Sequence, residues 1–227
     1  MKLTLGTTYY NSPELLIDFI DYHKQYFDEI IVVDDGSDLP AEDYIKDRDK
    51  IKLYRVPVDY GFNSHGCRNL IMKETSNDWN VLFDVDRAFI DPKTAIQTIK
   101  NRKLKEQTIY LFEMFSNYNF PKTIHPSVND FLIHRNHFWS AGGYDEELIG
   151  MRTGDRQYRE QLLNFGQEKL LYGIQAKFTR KPSLSLNINS VNDKEIDNRI
   201  LRTLIKKRIA NPEPNKKTLT FKWHRVF

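Results

Sequence analysis

Two aspartates, Asp84 and Asp86, stand one residue apart in VLFDVDRAFI, directly after a run apolar enough to be a buried strand. Adjacent carboxylates at the edge of a core repel each other and resist desolvation, so something must offset them. A turn with Asp86 paired to Arg87 is one local solution. A second pair, Asp34-Asp35, opens DDGS, which taken alone reads as an ordinary turn. If both pairs meet at one edge of one sheet, a divalent cation relieves them best, and hard oxygen ligands suit Mg²⁺ or Mn²⁺. Such a cation commonly neutralises a substrate diphosphate. The chain contains neither GxxxxGK[ST] nor GxGxxG, which leaves a metal bridge as the means of holding a diphosphate.

The elements around these carboxylates read as alternating strands and helices. Leu3 to Thr7 is a short β-branched run, and PELLIDFIDYHKQYF carries apolar residues at helical spacing after Ser12, an expected N-cap. EIIVVDDGSD is a continuous apolar strand stopped by turn residues, followed by a short helix from Ala41 and a strand IKLYRV. A helix from Ser64 to Thr75, the strand WNVLF and a helix from Pro92 to Lys103 continue the pattern. Such alternation predicts βαβ units and a mostly parallel sheet, with ligands beyond the carboxyl ends of its strands. Three of those ends are polar: Thr7-Thr8-Tyr9, Asp34-Asp35-Gly36-Ser37 and Asp84-Val85-Asp86. The second half is less regular. TIYLFEMF and FLIHR read as strands, with the aromatic residues of YLFEMFSNYNF assigned to core packing. GDRQYREQLLNFG reads as a helix closed by Gly166, DKEIDNRILRTLIKKRIA as a basic helix, and KTLTFKWHRVF as an extended tail.

A chain of 227 residues can be one α/β domain and buries enough surface to need no staples. The single cysteine, Cys67, cannot form an internal disulfide and favours a reducing, cytoplasmic setting. The opening residues do not resemble a signal peptide, and no run approaches the length of a transmembrane segment. A net charge of +3 is too small to argue for nucleic acid. The expected organisation is one domain over 1–227 with two functional halves, about 1–90 and about 91–227.

TTYYNSPELLIDFIDYHKQYFDEIIVVDDGSD, GFNSHGCRNLIM and VLFDVDRAFI resemble the nucleotide-sugar half of family 2 glycosyltransferases with the GT-A fold, with Cys67 where that family has alanine. WSAGGYDEELIGMRTGDRQYREQLLNFG is similar to the family's Gly-Gly-Phe-Asp-Glu segment and acidic helix start. The resemblance implies that Thr7, Tyr9 and Asp35 hold the nucleobase and ribose, Tyr9 by packing against the base. It implies that Arg68 supports the nucleotide, that Asp84 lies near the ribose or donor sugar, and that Asp86 ligates Mn²⁺ or Mg²⁺. His224 is the candidate third metal ligand, because some GT-A enzymes use a late histidine. The tail would fold back, Leu219, Phe221 and Trp223 pointing one way, and bring His224 and Arg225 to the diphosphate.

Inverting transfer needs a base for the acceptor hydroxyl. The family places it in a Glu-Asp pair at a helix start, which here is Gly154-Asp155, so the glutamate is absent and Asp155 is the expected base. Asp155 as a simple helix cap is the plainer reading, and Asp145 and Glu146 are weaker candidates that could close a turn after Gly142-Gly143. His125, His134 and His137 have no metal-site spacing and are expected at the surface or in the core. The expected function is transfer of a hexose from a nucleotide-diphosphate sugar, by default a UDP-sugar, to a glycan or other hydroxyl acceptor. Glycosylation of hydroxymethylated DNA bases is the alternative. It would use Arg202, Lys206, Lys207, Arg208, Lys216, Lys217, Lys222 and Arg225 as phosphate contacts, although a solvated basic face explains most of them. A nucleotidyltransferase would need a glycine- and lysine-rich opening loop, which is missing, and a non-catalytic nucleic-acid module would have no use for intact Asp84, Asp86 and Asp155.

Overall fold

A computed structural model describes residues 1–116, 122–124, 126, 129–150, 154–179 and 218–227, with helical positions at 202, 203, 206, 207 and 210. Its organising element is a parallel block of four strands, β1 (Leu3–Tyr9), β2 (Glu29–Asp34), β3 (Ile51–Arg55) and β4 (Trp79–Leu82). They lie in the order β3-β2-β1-β4, so the chain reverses direction across the sheet at β1. That reversal is where an open α/β sheet leaves a crevice at its carboxyl edge. β2 is buried along its whole length, as a strand covered on both faces must be.

The helices cover the two faces. α1 (Pro13–His23) buries Leu16, Phe19 and Ile20 on one side, with Leu3, Leu5 and Tyr9 of β1. Ser12 takes the N-cap position with no side-chain cap; its carbonyl accepts from the amides of Leu15 and Leu16. α2 (Ser64–Glu74) packs on the other face. At Gly6 the Ile71 and Leu82 side chains occupy the space a Cβ would fill, so glycine lets α2 sit directly on β1. α3 (Pro92–Asn101) is capped by Asp91, whose side chain accepts from the Thr94 amide at 3.0 Å.

Beyond β4 the sheet becomes mixed. It continues through β8 (Phe131–His134), β6 (Thr108–Ser116), β9 (Gln167–Phe178) and β5 (Arg87–Phe89), with β7 (Lys122–Ile124) paired to β6. Here β6 and β9 are parallel and the other pairs antiparallel. α4 (Arg135–Ser140) and α5 (Gly154–Leu162) lie within this half. Sequence patterning did not indicate β5, β7, α4 or β9. β9 is twelve residues long, but much of it is only partly covered, and Gly173 (φ 80°) accompanies a register shift opposite Phe112 and Glu113. These features erase the alternation by which a strand is recognised. The helix expected at 41 is a three-residue turn, Ala41–Asp43. The basic helix expected over 193–210 lies mostly outside the described residues, where Arg202, Lys206 and Lys207 are exposed and helical. Among the described residues no helix is long and apolar enough to cross a membrane.

The tail does fold back. Phe221 is buried on Gly66 of α2, Leu219 and Trp223 pack in the same cluster, and Lys73 lies 4.5 Å from the Trp223 ring. The tail then forms β10 (His224–Arg225), antiparallel to β3 at the sheet edge. Glu146 fastens its start: the carboxylate accepts from the Leu219 amide at 2.5 Å and from the Thr220 amide and hydroxyl at 2.8 Å. Phe221→Ala should therefore cost about 3–5 kcal/mol, the usual loss for emptying a buried phenylalanine site. Urea unfolding followed by tryptophan fluorescence would measure it, and a loss below about 1 kcal/mol would show that the tail adds little to the fold.

Candidate active site

The crevice at the carboxyl edge is an open cleft of about 340 Å³. Asp35, Asp84, Asp86 and Asp155 reach it, together with Tyr10, Ser12, Phe62, Ser64 and Asn129, and among the described residues no lysine or arginine lines it. Three segments distant in sequence thus bring four carboxylates to one space.

Their charges are met from behind. Arg68, on the inner face of α2 and 3% exposed, donates to the Asp84 carboxylate at 2.7 Å and to the Asn129 carbonyl at 2.8 Å. The same guanidinium contacts the Tyr144 hydroxyl at 3.2 Å and lies 3.7 Å from Asp155. Burial opposes its charge, but Tyr144, Asp155, Asp84 and Asp130 more than offset this and hold its pKa above the usual arginine value. Asn129 donates its side-chain amide to the other Asp84 oxygen at 3.2 Å. Arg87 pairs with Asp86 through one guanidinium nitrogen and with buried Asp130 through Nε at 3.0 Å. Burial raises the Asp86 pKa, and the Arg87 charge partly opposes that rise.

Asp155 is the second residue of α5 and 6% exposed, with the His65 ring 3.9 Å from one carboxylate oxygen. Burial lowers the His65 pKa, which keeps the imidazole neutral, although Asp155 pulls the other way. His65 stacks on Tyr144 with ring centroids 5.4 Å apart. Asp35 is nearly buried, accepts from the Asn63 amide at 3.0 Å, and has its pKa pushed up to about 7, chiefly by burial.

Of the residues expected at the site, Tyr9, Asp35, Asp84, Asp86 and Asp155 line the cleft and Arg68 stands directly behind it. Their positions come with two adjustments. Strand alternation puts the Tyr9 ring in the core beside Leu3 and Leu5, its hydroxyl donating to the Leu39 carbonyl at 2.7 Å. Tyr10 and Phe62 supply aromatic surface to the cleft instead, and Thr8 reaches it while Thr7 is buried in β1. His224 does not join the group. It is exposed on β10, opposite Arg55 in the edge register, and is absent from the cleft wall. Asp145 caps the short turn Glu146–Leu148, and Glu146 holds the tail, so both have structural work here. His134 and His137 are buried, and His125 lies outside the described residues. Sequence reading missed His65, Asn129 and Asp130. Long-range contacts reveal them: His65 lies within GFNSHGCRNLIM but was given no role there, and Asn129 and Asp130 stand in no motif.

Among the described residues no three His, Cys, Asp or Glu side chains form a metal cage. The donor set still fits Mg²⁺ or Mn²⁺, which take one or two carboxylates and fill the remaining positions with phosphate oxygens and water.

Residues 4–103 match the family model described as glycosyl transferase family 2. The fold is GT-A. Among solved structures of that type, S. aureus TarS aligns with a TM-score of 0.66 at 18% identity, over 94% of this chain and 40% of TarS. A mannosyltransferase from Pyrobaculum calidifontis, PcManGT, in complex with GDP-Man and Mn²⁺ gives 0.61 at 12% identity, over 80% of this chain and 57% of that one. The catalytic domain of Drosophila β1,4-galactosyltransferase 7 with xylobiose gives 0.54 at 15%, over 96% and 82%. The chain therefore spans less than half of TarS and somewhat more than half of PcManGT. No curated protein matches it in sequence. Within this GT-A fold the acidic cleft falls at the carboxyl ends of β1, β2 and β4.

Asp35 makes the ligand-free protein sensitive to pH. Its folded pKa of about 7 lies above the ordinary value of 3.8, so between these limits the folded state keeps a proton that the unfolded chain has released. The contribution of Asp35 to stability is full below about pH 4 and falls as pH rises toward 7, by on the order of 4 kcal/mol in total. Asp35→Asn should remove most of that slope. Melting temperatures of both proteins from pH 4.5 to 8 would test this, and parallel curves would exclude Asp35 as the source.

Proposed function

We propose that the protein is a metal-dependent glycosyltransferase that moves a sugar from a nucleotide-diphosphate sugar, by preference a UDP-sugar, to a hydroxyl of a glycan acceptor with inversion. The observation that carries the reading is the cleft itself. Four carboxylates converge at the carboxyl edge of a parallel sheet, two of them from one Asp-x-Asp turn, and among the described residues no basic side chain lines the space. A cation offsets the repulsion between such a cleft and a dianionic diphosphate. The Mn²⁺ and GDP-Man reported with PcManGT and the xylobiose reported with the Drosophila enzyme agree with such a donor and acceptor.

Each side chain then has a task. Asp86 would hold Mn²⁺ or Mg²⁺, which when bound supplies the positive charge that stabilises the departing diphosphate. Asp35 would accept a hydrogen bond from the nucleobase, and Tyr10 and Phe62 would flank it. Asp84, fixed by Arg68 and Asn129, would orient the ribose or the sugar. Asp155 would take the proton of the acceptor hydroxyl as that oxygen attacks the anomeric carbon, while Arg68 and neutral His65 hold the carboxylate in place.

Two substitutions test the assignment. Asp86→Ala should abolish Mn²⁺-dependent binding of UDP in isothermal titration with the melting temperature little changed, whereas His224→Ala should leave that binding intact. Metal-dependent affinity surviving in folded Asp86→Ala would remove Asp86 from the metal site. Asp155→Asn should bind donor normally yet lose roughly 10²–10⁴ in transfer rate, because an amide keeps the size but cannot accept the proton. Wild-type turnover in this variant would leave Asp155 as a helix-start residue only.

A further inference from the structure

Arg87 follows directly on Asp86, and its guanidinium is held on several sides. Nε donates to Asp130 at 3.0 Å, one terminal nitrogen pairs with Asp86 Oδ1, and the other lies 3.9 Å from Asp84. The face of the group rests 3.7 Å from the centroid of the Phe178 ring on β9. Asp130 is fully buried, and its other oxygen accepts from the Asp84 backbone amide at 3.1 Å. A fixed positive charge therefore bridges the carboxylates of the Asp-x-Asp turn and takes one oxygen of Asp86. Arginine cannot shed this charge by losing a proton.

We propose that Arg87 is a positioning residue that acts as an internal counter-cation for Asp86, weakening the empty site's grip on a divalent ion so that ion and diphosphate bind together. The proposal rests on the reading of Asp86 as a metal ligand. Among the described residues, the carboxylates around the cleft are Asp35, Asp84, Asp86, Asp130 and Asp155, and the guanidinium groups behind it are Arg68 and Arg87. Among the described residues, removing Arg87 would leave Arg68 as the guanidinium answering two adjacent carboxylates, and a divalent ion would bind more tightly with no substrate present. With Arg87 in place, part of that attraction is already satisfied, and one oxygen of Asp86 is engaged. The diphosphate supplies the missing negative charge and the remaining oxygen ligands, so the ion is held firmly only when donor arrives. The Phe178 ring and Asp130 keep the guanidinium from swinging away.

The test is Mn²⁺ binding to the protein, alone and with UDP, by isothermal titration and by the Mn²⁺ electron spin resonance signal. Arg87→Gln should bind Mn²⁺ alone about tenfold or more tightly than wild type, because a unit charge a few ångströms away is removed. The gain in Mn²⁺ affinity that UDP confers should shrink correspondingly. Arg87→Lys keeps the charge and should stay near wild type. Since Arg87→Gln strands buried Asp130, Arg87→Gln/Asp130→Asn compared with Asp130→Asn isolates the charge in a background with no unpaired acid. Equal or weaker Mn²⁺ affinity in both comparisons would overturn the role of Arg87 while leaving Asp86 as a ligand. Wild-type protein that binds no Mn²⁺ even with UDP would overturn the metal reading and this proposal together.

Discussion

The cleft depends on a buried guanidinium. Arg68 sits among Asp84, Asp155, the Tyr144 hydroxyl and the Asn129 carbonyl with almost no access to water. Burying such a group costs several kcal/mol unless nearly every donor is met. Here the partners come from the β4–β5 turn, the segment before β8, the turn region at Tyr144 and the start of α5. No one of these segments can shift without leaving a charge unpaired in the interior. Removal of one partner of such a buried pair typically costs about 3–5 kcal/mol. The ion-pair network therefore fixes the relative placement of the two halves of the chain as firmly as the core does, and it does so at the cleft.

α2 is the element through which this constraint is exerted. Its inner side presents His65, Arg68 and Asn69, which reach across to Asp155, Asp84 and Tyr144. Glycines admit close neighbours on either side of it: the helix rests on β1 at Gly6 of that strand, and its own Gly66 makes room for Phe221. Glu146 links both sides. One oxygen accepts from Asn69 at 2.9 Å, and the carboxylate also gathers the Leu219 and Thr220 amides. A single acidic side chain thus joins the helix under the cleft to the tail that crosses the helix and ends on β3. The tail was expected to deliver His224 to the diphosphate, but its pairing with β3 commits it to the sheet edge.

The first half of the fold was legible because its signals are local. Apolar β2 ending in Asp34-Asp35, the helix beginning at Ser64 and the strand before Asp84 each announce themselves within a dozen residues. Asp35, Asp84 and Asp86 were legible for the same reason, as they stand at strand ends in recognisable turns, whereas Asp155, at a helix start, entered through the family resemblance. The arginine and histidine that hold them were less so. Arg68 entered only through its motif, and Arg87 was visible as a neighbour of Asp86, but its bridge to Asp130 spans 43 residues. Tyr9 shows the limit in another way. A motif can mark two adjacent tyrosines as important, yet only the strand's two-residue period decides which ring enters the core and which meets the cleft.

The same long-range logic accounts for one place where the chain departs from the family pattern it otherwise resembles. Position 154, where the resemblance leads one to expect glutamate, is glycine. In the fold, a Cβ there would fall within the His65 imidazole, about 2.9 Å from its Cδ2 and nearer still to other ring atoms. The imidazole is wedged between the Phe62 and Tyr144 rings, so it has no room to retreat. Glycine at 154 is therefore what leaves the His65 ring its place beside Asp155. The exchange replaces a second carboxylate beside Asp155 with a ring that burial keeps neutral. It spares an already acidic cleft another negative charge, and it leaves Asp155 supported by Arg68 from one direction and by a rigid aromatic stack from the other.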